Sequence, residues 1–205
     1  MTYNDTYVVI MAGGVGSRFW PYSRNYRPKQ FLDVLDTGYS LIQLTNNRFK
    51  DICPQENVYV VTNEAYVDLV KQHLPELNDD QILSEPVGRN TAPCIAYASY
   101  KIASRNKNAN IIITPSDHTV FKEKEFEEVV KLAVDAVAHA NRIVTIGIKP
   151  SRPETGYGYI QFIPETDNEV KKVKTFTEKP EPELAKKFVD SGEFVWNAGI
   201  FIWNA

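Results

Sequence analysis

The sequence predicts an α/β protein built on a doubly wound sheet, and two observations carry that reading. Short apolar runs recur at residues 7–11, 57–62, 82–83, 110–114 and 142–148, each too short for a buried helix. The segments between them place apolar residues at helical spacing, so strand and helix alternate, as parallel strands joined by crossover helices require. From residue 156 the pattern changes to adjacent sheet-like runs, which marks a second lobe beginning near residue 150.

Residues 7–11 are apolar throughout and read as a buried strand. Ser40 is expected to cap a short helix reaching Phe49, and 57–62 is a valine-rich strand. Asn63 caps the next helix, 64–74. The brief strand 82–83 runs into the loop 85–93. There Thr91 is placed as the N-cap with Pro93 in the first turn, and Cys94, Ile95, Ala98 and Ile102 follow at helical spacing. The strand 110–114 ends in Pro115-Ser116-Asp117-His118, followed by a helix over 125–140 and a strand over 142–148. In the second lobe, 157–162 and 170–176 read as sheet around a polar turn at 164–169. A helix over 182–190 stops at Gly192, and 194–203 closes the chain as an aromatic, strand-like run. No repeat or low-complexity linker interrupts the pattern.

Composition sets the outer limits. A chain of 205 residues with 43% hydrophobic content can bury a sizeable core. No apolar run approaches the roughly 20 residues of a membrane span, and residues 1–6 carry no cationic leader pattern. A cytoplasmic protein without a membrane partner is expected. A net charge of -3 and a pI near 5.7 argue against a nucleic-acid partner. Cys53 and Cys94 lie far apart and beside no His or Cys cluster, so each reads as a core thiol. His73 and His139 fall in expected helices as surface or packing residues.

The chemistry concentrates in residues 12–31. Gly13, Gly14 and Gly16 follow the first strand, and glycine lets a polyanion approach backbone N–H groups closely. Arg18, Arg24, Arg27 and Lys29 follow with no acidic residue among them, on an acidic chain. A Walker A loop is excluded because Gly16 is followed by Ser17 and Arg18, and a dinucleotide fingerprint because Phe19 stands where a small residue is required. The glycines alone fit a surface turn equally well. Pro21 and Pro28 restrict the backbone around the basic run, as a loop presenting charges in fixed positions requires, and favour phosphate binding.

This segment resembles the signature of the sugar-1-phosphate nucleotidyltransferases. Trp20-Pro21, Ser23-Arg24 and Pro28-Lys29-Gln30-Phe31 are most similar to the mannose-1-phosphate guanylyltransferase branch. The resemblance implies a Rossmann-like nucleotide-diphospho-sugar transferase fold, a mixed, mostly parallel sheet with helices on both faces. It implies a catalytic domain over 1–205, with a nucleotide-binding part at 1–150 and the start of a sugar-binding part at 151–205. Family members run well beyond this length, so the domain is expected to continue. Ala12, Gly13, Gly14 and Gly16 would lie along the nucleotide, and Arg18 and Lys29 would hold the triphosphate and the departing pyrophosphate.

The remaining loops offer ligands of the matching kinds. A carboxylate such as Glu85 can accept from both N1–H and N2 of guanine, and a solvated loop acid is its alternative use. The resemblance places Glu85-Pro86-Val87-Gly88-Arg89-Asn90 at the base, with Gly88 and Asn90 adding contacts. Asp117 stands just after a strand, where such a sheet presents ligands; it could be a turn aspartate or half of a magnesium site. Here Pro-Ser-Asp-His resembles the metal-binding turn of the family, which implies Mg2+ on Asp117. His118 reads as a supporting or turn residue. Glycines among the tyrosines at 155–160 fit a ligand approach or a β-bulge. The resemblance puts Gly156 against the sugar, Glu178 and Asn197 on its hydroxyls and Lys179 on its phosphate.

No Ser, Cys and His constellation suggests a covalent nucleophile, and cations, a carboxylate and base and sugar ligands suit phosphoryl transfer by positioning and charge stabilisation. The resulting expectation is an enzyme joining GTP and mannose 1-phosphate into GDP-mannose and pyrophosphate, with Arg18, Lys29, Asp117 and Lys179 as the catalytic groups. Another sugar phosphate or base, or a binding module without turnover, fits the same loops. The reading allows a homodimer, and weak or no activity is expected of residues 1–205 alone.

Overall fold

The structure, a computed structural model, describes residues 3–87, 90–138, 140–164 and 169–205. It divides into two compact units, 1–143 with 201–205, and 144–200.

The first unit is organised around β1 (Thr6–Met11), whose Val8, Val9 and Ile10 are fully buried. Burying each such side chain contributes about 1.5–3 kcal/mol, which makes this strand the natural centre of the sheet. It pairs in parallel with β2 (Val58–Asn63) on one side and β4 (Asn110–Pro115) on the other. β3 (Ile82–Glu85) extends the sheet in parallel beyond β2. The last residues of β8 (Phe194–Asn204) run antiparallel to β4, from Asn204 opposite Asn110 to Phe201 opposite Ile113. The sheet is therefore mixed with a parallel centre.

Side chains alternate across such strands. Tyr7, Val9, Tyr59, Val61, Ile111 and Ile113 form one face, packed with Cys94, Ala98 and Ile102 of α3 (Thr91–Arg105). Val8, Ile10, Val60 and Ile112 point the other way and are equally buried. The helices α1 (Leu41–Arg48), α2 (Val67–His73) and α4 (Glu123–Ala138) pack on these strands as well. α1 starts as expected at Ser40, where Gln43 Oε1 accepts from the Ser40 N–H at 2.9 Å. The start of α3 differs from the expectation: Asn90, not Thr91, is the capping residue, and Thr91 is the first helical residue. A proline in the first turn is compatible with either start, so the sequence did not separate them.

The second unit contains most of β5 (Ile143–Ile148), all of β6 (Tyr159–Phe162), β7 (Val173–Thr177) and α5 (Pro182–Ser191), and most of β8. β6 is antiparallel to both β7 and β8, and β5 pairs with β8. Its core is aromatic: Tyr159 and Trp196 are buried with Ala185 of α5, and Phe188 stacks on Phe194 with centroids 4.0 Å apart. α5 ends at Gly192, φ 70°, a left-handed cap that glycine adopts without strain. Among the described residues no helix is long and apolar enough to cross a membrane.

Candidate active site

The glycine loop leaves β1 while still tied to the sheet, because Ala12 N–H donates to the Val61 carbonyl at 2.8 Å. Buried Gln30 folds back beneath it. Its Nε2 donates to the carbonyls of Ala12 (2.8 Å) and Gly14 (2.9 Å), and Thr62 Oγ1 adds a bond to Ala12 O at 3.0 Å. With the carbonyls engaged, the exposed Gly13 and Gly14 amides have no protein acceptor among the described residues. A row of unpaired N–H groups suits a phosphate chain. Gly16 adopts φ 65° and opens a 3-10 turn, Ser17–Phe19. A Cβ there would lie 2.7 Å from Lys29 Cβ, so only glycine admits this approach.

Arg18 is exposed and has no ion-pair partner among the described residues. Lys29 begins a second 3-10 turn, Lys29–Phe31, anchored by fully buried Phe31. Its Nζ lies 3.3 Å from Asp117 Oδ2 and 3.4 Å from the Asp117 carbonyl, and 5.5 Å from the Phe19 ring centroid. Asp117 closely follows β4 and Lys29 lies on the long connection after β1, so the loops that leave two neighbouring strands meet in this pair. Glu85, the last residue of β3, is half-buried and lies beside the same loop, since a Cβ on Gly13 would come within 3.9 Å of its Oε2. Burial raises the Glu85 pKa. Asn90 is exposed at φ 66°, and Gly88 lies outside the described residues.

Asp117 Oδ1 has no protein partner among the described residues, nor is there any group of three or more His, Cys, Asp or Glu side chains suited to a metal. One partly exposed carboxylate at a strand end fits magnesium, which completes its shell with phosphate oxygens and water. Burial lowers the pKa of His118, opposed by the charge of Asp117 and assisted by Arg48 and Lys29.

Within the second unit, Gly158 O accepts from Asn197 N–H at 2.8 Å, which joins the glycine–tyrosine run to β8. Asn197 Oδ1 accepts from Gly199 N–H at 2.9 Å, and its amide nitrogen has no protein partner among the described residues. Gly156 N–H donates to Glu154 Oε1 at 3.0 Å. Glu178 and Lys179 are exposed just after β7. Gln30 stands in the basic motif with no role legible from its neighbours, and nothing in the sequence sets Thr45, Thr62 or Arg48 apart. Their buried polar atoms serve the backbone, a use that no local spacing announces.

A nucleotidyl transferase family profile matches residues 7–205. The chain belongs to the nucleotidyl transferase family. It is 41% identical to a mannose-1-phosphate guanylyltransferase of Escherichia coli, over 96% of this chain and 43% of the relative. It is 42% identical to one of Salmonella montevideo, over 96% and 42%. The chain thus spans less than half the length of these relatives. A crystal structure from Thermus thermophilus, described as a mannose-1-phosphate geranyltransferase, superposes with a TM-score of 0.89 at 30% identity, covering 98% of this chain and 57% of that one. A glucose-1-phosphate thymidylyltransferase structure described as putative, from Bacillus anthracis, has a TM-score of 0.63 at 18% identity and covers 97% and 71%; it speaks to the fold alone. The mixed sheet, parallel at its centre, is accordingly with its helices the nucleotide-diphospho-sugar transferase fold of this family.

Proposed function

We propose that the intact protein joins GTP and mannose 1-phosphate to give GDP-mannose and pyrophosphate. The observation that carries this reading is the Lys29–Asp117 pair, two residues 88 apart in sequence held together beside a glycine loop whose Gly13 and Gly14 amides have no protein acceptor among the described residues. The relatives named as mannose-1-phosphate guanylyltransferases supply the substrate classes.

A phosphate oxygen of mannose 1-phosphate attacks the α-phosphorus of GTP in line, and the bond from that phosphorus to the bridging oxygen of the β-phosphate breaks. No proton transfer is needed, so the protein acts by positioning and electrostatics. The amides of Gly13 and Gly14 bind phosphate oxygens, and Arg18 and Lys29 neutralise the departing pyrophosphate. Glu85 accepts from the N1–H and N2 donors of guanine, with Asn90 beside the base. In the second unit, Lys179 holds the phosphate of the sugar substrate, and Glu178, Asn197 and Gly156 contact its ring. Asp117 holds Mg2+, which when bound neutralises charge on the phosphates.

Pyrophosphate release by the intact protein, measured with each pair of nucleoside triphosphate and sugar 1-phosphate, tests this reading. GTP with mannose 1-phosphate is expected to give the highest kcat/KM. A faster pair, or no release with any pair, overturns it.

A further inference from the structure

The backbone that carries Asp117 is held on both sides of that residue. Ser116 N–H donates to Met11 O at 3.1 Å. Thr45 Oγ1 lies 3.2 Å from Ser116 O, Lys29 Nζ 3.4 Å from Asp117 O, and Arg48 Nη2 3.1 Å from His118 O. Three successive carbonyls thus each meet a side-chain donor. Two of the donors stand on α1 at i and i+3, on one face of the helix. Thr45 is fully buried and Arg48 only 8% exposed.

A buried guanidinium is an expensive way to hold one carbonyl. Arg48 has no carboxylate within ion-pair distance among the described residues, and its Nε has no hydrogen-bond partner there. Its guanidinium carbon lies 5.5 Å from the Phe126 ring centroid, so α4 encloses it from the other side. Burial lowers its pKa, opposed by the charge of Glu123. A methionine of similar length would fill this space without the cost of burying a charge. The charge therefore has another use than packing.

We propose that Arg48, assisted by Thr45, is a positioning residue: it clamps the backbone on both sides of Asp117 and so aims the carboxylate at the divalent cation. The proposal rests on the assignment of Asp117 as the metal carboxylate. A ligand must be held to within about 0.5 Å of its working geometry, and removing an outer partner of a metal ligand typically lowers affinity or activity about 10–100-fold.

The test uses the intact protein and Mn2+ as the probe, with free Mn2+ read by electron paramagnetic resonance. Asp117→Asn is expected to abolish binding. Arg48→Met weakens it about tenfold or more, and Arg48→Lys restores part of the loss. Thr45→Val removes only the Ser116 contact and weakens it by about two- to tenfold, as loss of one neutral hydrogen bond does. In pyrophosphate release, Arg48→Met lowers kcat with little change in KM for the sugar phosphate. If Arg48→Met does not fold, Thr45→Val and Arg48→Lys carry the test. Wild-type Mn2+ affinity in the folded variants, losses that merely follow the melting temperature without rescue by lysine, or Mn2+ binding indifferent to Asp117 overturns the proposal. Because binding is read without turnover, a wild type that binds Mn2+ through Asp117 yet releases no pyrophosphate refutes the proposed reaction and leaves the clamp standing.

Discussion

At the scale of single residues, Lys29 and Gly16 decide the most. Lys29 combines a charge, a contact to Asp117 and a stem packed against the glycine loop. Replacing it with Met keeps the stem and removes the charge. In the intact protein this is expected to lower kcat/KM by on the order of a hundredfold, as loss of a charge-stabilising donor does; an unchanged rate would remove Lys29 from the reaction. Gly16→Ala acts differently. It forces a side chain into φ 65° and drives its Cβ to 2.7 Å from Lys29. Left-handed backbone costs a non-glycine residue about 1–3 kcal/mol, so thermal unfolding should show a melting temperature several degrees lower. A variant as stable as the wild type would mean that the loop relaxes freely. The glycines and cations were legible because their residue types restrict their use. The role of Gln30 was not, since its two carbonyl partners lie 16 and 18 residues earlier.

At the scale of elements, the joint of α1, α2 and the 3-10 turn Lys29–Phe31 has a titratable pin. His73 Nδ1 is 2.8 Å from Ser40 Oγ at the start of α1, and its ring centroid is 5.3 Å from that of Phe31. Burial, and then the charge of Arg27, hold its pKa below the ordinary value. The unfolded chain therefore binds the proton more readily than the folded one. The stabilisation is complete above pH about 6.5 and is lost as pH falls from there towards the depressed folded-state value. Urea unfolding at pH 7.5 and 5.5 is expected to show a drop that His73→Gln reduces; an equal drop in both proteins would exclude this pin. Sequence periodicity located α1 and α2 and placed His73 on a helix. It could not place His73 against Ser40, because that contact depends on how two helices pack on a shared sheet.

At the scale of the molecule, both cysteines belong to the first unit, and both thiols are buried and pushed up to about 12. Cys53 Sγ also donates to Thr6 O at 3.2 Å. Thiolate is then scarce at pH 8 and reagent has no access without opening of the unit. Iodoacetamide is expected to leave Cys53 and Cys94 of the native protein unmodified over an hour and to label both after guanidinium denaturation, as peptide mapping reads. Rapid native labelling would show that this unit opens easily.

What the sequence determined by itself was the alternation of strand and helix, the loops at the strand ends, and the residue types in them. These follow from local periodicity and from the few residue types that suit a tight, basic glycine loop, and the family resemblance rested on them. Tertiary structure alone decided that Lys29 meets Asp117, that Glu85 lies beside Gly13, and that Arg48 and Thr45 grip the loop around Asp117. Such contacts join residues tens of positions apart, and they exist only because parallel pairing of β3, β2, β1 and β4 brings the carboxyl ends of those strands to one edge of the sheet.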